Sequence, residues 1–123
     1  MMYFMIAVGG AFGAMSRFAL GKWISSYWNH AFPLATFSIN VLGSFLMGVV
    51  FILITEKMAI PESYRPLLMV GFLGAFTTFS TFSLEIVSLI NQQAWLSAVS
   101  YLLLSCLLGV LALAAGILIA RLI

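Results

Sequence analysis

The sequence predicts an all-α integral membrane protein with four transmembrane helices, and three observations lead there. Of its 123 residues, 64% are hydrophobic and 7% charged, against roughly 45–50% apolar and about 25% charged in an average soluble domain. The mean hydropathy is +1.21, which leaves too little polar surface to face water on all sides. A spanning helix needs about 20 predominantly apolar residues. The length therefore admits four helices with short connections and no soluble domain.

The chain reads as one transmembrane domain over residues 1–123. The first apolar segment runs from about residue 3 to 24 and begins with neither a positively charged leader nor a small-residue cleavage site, so a retained helix is expected rather than a signal peptide. The second, about 34–54, opens after Pro33 and closes before the Glu56–Lys57 pair. The third spans about 66–90 and the fourth about 95–119, with connections over Ser26–Phe32, Thr55–Arg65 and Asn91–Ala94. Trp23, Tyr27, Trp28, Tyr64 and Trp95 fall near the segment ends, where amphipathic rings prefer the headgroup layer. Gly9 and Gly13, Gly10 and Ala14, Ser44 and Gly48, and Ala112 and Gly116 are small-residue pairs at the spacing that lets helices approach closely.

Four spans put Lys57, Arg65 and Arg121 on one side of the membrane and Lys22, with Arg17 deeper in the same half, on the other. This near balance gives no firm orientation by the positive-inside rule. Insertion in both orientations follows, with a homodimer of oppositely oriented copies whose two-fold axis lies in the membrane plane.

The net charge of +2 comes from scattered residues, which gives nucleic-acid binding no support. The single cysteine, Cys106, sits in an apolar run and reads as packing. His30, the single histidine, falls in the first connection. No Ser/His, Cys/His or paired-carboxylate constellation lies within the spans and no metal-ligand spacing is present, so an enzyme is not expected.

The third span carries the chemistry. Between Thr77 and Glu85 it holds five hydroxyl side chains and one carboxylate. Hydroxyls can bond back to helix carbonyls, but an intramembrane carboxylate marks a functional site by default. At about 100° per residue, Thr81, Glu85 and Ser88 share a face flanked by Ser80, and Phe79 and Phe82 are expected nearly opposite. Glu85 is able to serve as a proton carrier, a cation ligand or a hydrogen-bond acceptor, and its residue type does not choose among them. Asn40 is a strong donor and acceptor in the second span, suited to an interhelical bond or to a ligand, with Thr36 one turn before it. Arg17, between Gly13 and Gly21, either snorkels to the interface or attracts anions. Tyr101, Ser105 and Gly109 form a small polar stripe in the fourth span.

The runs Gly9-Gly10-Ala11-Phe12-Gly13-Ala14-Met15-Ser16-Arg17-Phe18, Pro33 through Asn40-Val41-Leu42-Gly43-Ser44-Phe45, and Gly71-Phe72-Leu73-Gly74-Ala75-Phe76-Thr77-Thr78-Phe79-Ser80-Thr81-Phe82-Ser83-Leu84-Glu85 together resemble the signatures of the Fluc (CrcB) fluoride channels. The resemblance covers essentially the whole chain. It implies a multi-pass protein of the bacterial inner membrane, a dual-topology homodimer with two antiparallel pores, passive export of fluoride and resistance to its toxicity. By the same resemblance Phe79 and Phe82 are pore phenylalanines and Asn40 a donor to fluoride or to those rings. Ser80, Thr81, Ser83 and Glu85 match the polar track, and Tyr101 and Ser105 match pore-side positions of the fourth helix. Gly109 stands where some relatives carry serine. Arg17, with Thr36, belongs to the vestibule. The family's third helix is broken, and main-chain carbonyls at the positions of Gly74 and Thr77 enclose a structural sodium ion at the dimer centre.

Two other readings compete. A small multidrug-type, proton-coupled transporter has the same size and dimer symmetry but resembles exchange through a first-helix glutamate, which this chain lacks. A non-transporting assembly subunit would use the polar residues for helix contacts alone.

Overall fold

The structure is a computed structural model and describes residues 1–123. It is all-helical, and four of its segments are long and apolar enough to cross a membrane: Met2–Tyr27, Leu34–Thr55, Glu62–Asn91 and Trp95–Leu122. We number the helices α1 (Met2–Tyr27), α2 (Leu34–Thr55), α3 (Pro66–Leu73, closing with a turn over Gly74–Phe76), α4 (Ser80–Asn91) and α5 (Trp95–Leu122), so that α3 and α4 make up the third span. The first and fourth helices run about a turn beyond their expected ends. Ser26 and Tyr27, expected in the first connection, instead complete α1, since no proline interrupts the chain before Pro33.

Two glycine-lined crossings organise the bundle. A Cβ on Gly9 would overlap the Leu67 carbonyl oxygen and one on Gly13 that of Phe72, so α1 lies backbone to backbone on α3. Likewise Gly48 faces the Leu113 carbonyl and Gly116 that of Phe45, which seats α2 on α5. Without a hydrophobic drive between helices in lipid, such close approach supplies the packing energy. Gly9, Gly13, Gly48 and Gly116 of the small-residue pairs legible in the sequence thus make these crossings, whereas Gly10 has room for a Cβ.

Pro66–Leu73 has wide π-helical turns, which no sequence signal announces. The break that the resemblance implies follows it. Thr77 leaves the helix with φ −83° and ψ 156°, and α4 restarts at Ser80. No proline causes it. The β-branched Thr77–Thr78 pair weakens the helix locally, and a side chain from α2 replaces the lost backbone bond, as described below.

The α1–α2 connection is fixed by the Trp28 indole, whose Nε1–H donates to the Phe32 carbonyl at 2.7 Å. At the far end of the bundle Arg121, in the last turn of α5, makes a two-pronged ion pair with Glu56 at 2.6 and 2.9 Å. Arg65 pairs with Glu62 in the same region.

Candidate ion pathway

Asn40 lies on α2 opposite the break in the third span. Its Oδ1 accepts the Thr78 N–H at 2.8 Å, and its Nδ2 donates to the Thr78 carbonyl at 3.0 Å. In an unbroken helix the Thr78 N–H would bond to the Gly74 carbonyl and the Thr81 N–H to that of Thr77. Here the first goes to Asn40 and the second to the Thr78 hydroxyl, at 3.3 Å. Both carbonyls named by the resemblance therefore lose their helical donors. Thr77 turns its own hydroxyl back to the Leu73 carbonyl at 2.9 Å.

An open groove of about 420 Å³ runs along this flank, with Asn40, Thr77, Thr78, Phe79, Phe82 and Ser105 among its walls and no charged side chain. The Ser105 hydroxyl oxygen is buried and has no hydrogen-bond partner within the chain. Gly109 also lines the groove. The Ser44 hydroxyl lies 3.8 Å from where a Cβ on Gly109 would stand.

The two phenylalanines differ. Phe79 is 79% exposed, whereas Phe82 is 6% exposed and meets the buried Tyr101 ring edge-on at 5.0 Å. Their rings lie 5.8 Å apart, tilted by 46°. The expectation that both oppose the polar face fails for Phe82. The Tyr101 hydroxyl that crowns this contact lies 3.5 Å from Glu85 Oε1, so Phe82 and Glu85 meet one partner. The reason is angular: residues three apart on a helix are about 60° apart, and α5 is wide enough to touch both.

Buried Thr36 lies near the Glu85–Tyr101 pair. It thus joins the Glu85 end of the track. Arg17 is partly buried on α1 and lines neither the groove nor the cavity beside Glu85. Ser83 bonds back to the Phe79 carbonyl at 3.0 Å, while Ser80 and Thr81 are exposed just after the break. The sequence reading missed Thr78, whose backbone is the point of attachment for Asn40. Their separation along the chain leaves no periodic signal.

Carbonyls released at membrane depth, a largely apolar, uncharged groove with a few polar groups set into its wall, and rings arranged edge-on are the parts of an ion pathway. The model of the CrcB-like proteins (Camphor Resistance, CrcB) matches residues 4–117. The chain belongs to this family. A relative from Magnetococcus marinus named fluoride-specific ion channel FluC is 48% identical over 118 residues, covering 96% of each chain. One of the same name from Hahella chejuensis is 47% identical over 96% of this chain and 93% of its own. A third, from Saccharophagus degradans, is 43% identical over 94% of this chain and 86% of its own. This CrcB-family chain is a multi-pass membrane protein, with the Asn40–Thr78 attachment at the centre of its third span.

Proposed function

We propose that this chain is a fluoride-selective ion channel that lets fluoride leave the cell passively and so protects against fluoride toxicity. Hydrogen fluoride crosses membranes and ionises in the less acidic cytoplasm, so a passive path for the trapped anion suffices. The observation that carries the reading is the uncharged groove at the break, where the Asn40 amide, the free Ser105 hydroxyl and the Phe79 and Phe82 rings converge. An aromatic ring is positive at its edge. Ring edges and neutral donors hold an anion without the full positive charge that would keep it from leaving. The names of the relatives point to fluoride as that anion.

The working unit is a homodimer of oppositely oriented copies in the bacterial inner membrane, with two antiparallel pores. Gly74, Phe79, Ser80 and Thr81 are all exposed at the break, and irregular backbone at membrane depth needs cover from protein or water. A second copy supplies that cover. The near-even distribution of Lys and Arg about the bilayer agrees with insertion both ways. The Gly74 and Thr77 carbonyls, relieved of their helical donors, are the hard oxygen ligands a sodium ion takes. With their counterparts in the second copy they would hold it at the dimer centre, where it ties the two breaks together. Ser80, Thr81 and Ser83 carry fluoride along the third span to the Thr36–Glu85–Tyr101 cluster.

Growth in fluoride of a bacterial strain lacking its own fluoride exporter tests the reading. The chain should restore growth and its Phe79→Ile variant should not. Equal growth with and without the chain, at confirmed membrane expression, would contradict it.

A further inference from the structure

Beside Glu85, on the side away from the groove, lies a second cavity of about 280 Å³. One wall is the end of α4, which contributes Glu85, Ser88 and Gln92. At spacings of three and four these residues share one helix face. The other wall is the α1–α2 connection from Trp28 to Ala35. That wall is braced: Trp28 donates to the Phe32 carbonyl, the Trp28 and His30 rings meet at 4.7 Å, and Phe32 packs edge-on to Tyr101 at 5.4 Å. Asn91 ends α4, which puts Glu85 about 9 Å along the helix axis from that end. Gln92 is exposed and Ser88 half-buried. The cavity therefore leads from the helix end to the Glu85–Tyr101 pair.

We infer that this cavity is the mouth of the pore at its Glu85 end, and that Ser88 and Gln92 contact the ion there as it exchanges water for protein donors. The inference rests on the channel reading above. An ion entering a narrow path gives up its hydration shell to groups lining the path. The Ser88 hydroxyl and the Gln92 amide are neutral donors placed one and two turns before the carboxylate. They receive the anion before it reaches the Glu85 carboxyl group. Neither belongs to the groove around Asn40.

The test is fluoride efflux from liposomes carrying Gln92→Lys or Gln92→Glu, measured at low and at high salt. Gln93 is the control, because it stands next in the chain with φ 57° and does not line the cavity. A charge at the mouth changes the local anion concentration, so at low salt Gln92→Lys should conduct several-fold faster than Gln92→Glu. The gap should shrink in molar salt, where the screening length is about 3 Å. The same pair of changes at Gln93 should open a much smaller gap. Ser88→Ala, which removes the donor without adding bulk to the cavity, should slow efflux about tenfold with an unchanged elution volume. Equal effects at Gln92 and Gln93, or full flux in Ser88→Ala, would overturn the inference with the channel reading intact. An unmodified protein that carries no fluoride would instead remove that reading and this inference with it.

Discussion

Asn40 grips both backbone groups of Thr78, accepting its N–H at 2.8 Å and donating to its carbonyl at 3.0 Å. One side chain on α2 thereby does the work of the helix bonds that the third span gives up. It also couples pore and scaffold, since the same amide lines the groove. Replacing it with alanine leaves two polar groups unpaired in an apolar setting, each costing about 1–3 kcal/mol. Asn40→Ala should therefore lower thermal stability in detergent and reduce fluoride efflux at least tenfold. A variant with wild-type melting would show that the break is held by other contacts.

The different burial of the two phenylalanines separates function from folding. Phe79 is exposed and Phe82 is packed on Tyr101. Phe79→Ile should abolish efflux and leave the melting temperature within a degree or two. Phe82→Ile should abolish efflux and also destabilise by roughly 1–3 kcal/mol through imperfect repacking of the site. Paired melting curves and efflux assays check both, and normal efflux in both variants would remove the ring-edge assignment.

Glycines predict a contrast. Alanine at Gly48 or Gly116 would drive a methyl into a backbone carbonyl across the α2–α5 crossing, at about 1–3 kcal/mol. Around Gly10 the nearest atom to an added Cβ is 4.0 Å away, so Gly10→Ala should fold as well as the parent. Thermal melts monitored by size-exclusion chromatography measure the difference.

The Arg121 guanidinium holds the Glu56 carboxyl below the usual carboxylate range through its hydrogen bonds. A lowered folded-state pKa gives stability that is present above the unfolded value and is lost as the pH falls through the folded one. Glu56→Gln should therefore melt slightly below the parent at neutral pH, with the gap closing in acid below the ordinary carboxylate range. Because both side chains are exposed, the effect should be small. Efflux should be unchanged.

Much of this architecture was legible in the residues. Hydropathy located the four spans, and the small-residue spacing marked the sides on which α1 meets α3 and α2 meets α5. The angular rule put Thr81, Glu85 and Ser88 on one face. What was misjudged was Phe82: three residues from Glu85, it stands only about 60° from it around the helix, so one tyrosine on α5 meets both. Thr36 was read with Arg17 in a vestibule, and its closeness to Glu85 depends on how α2 crosses α4. The π-helical turns of Pro66–Leu73, which lie against α1, have no compositional mark and depend on a tertiary setting. The Asn40–Thr78 attachment was half legible: an interhelical bond was one of the two roles expected of Asn40, but its partner is the backbone of Thr78, which no residue type marks.

The most direct test of the account is fluoride efflux from liposomes reconstituted with the purified protein. Valinomycin is added so that potassium movement balances charge, and chloride efflux is recorded alongside. The account predicts rapid loss of fluoride with chloride retained. Retention of fluoride by a well-folded, correctly reconstituted protein, or equal loss of both anions, would contradict it.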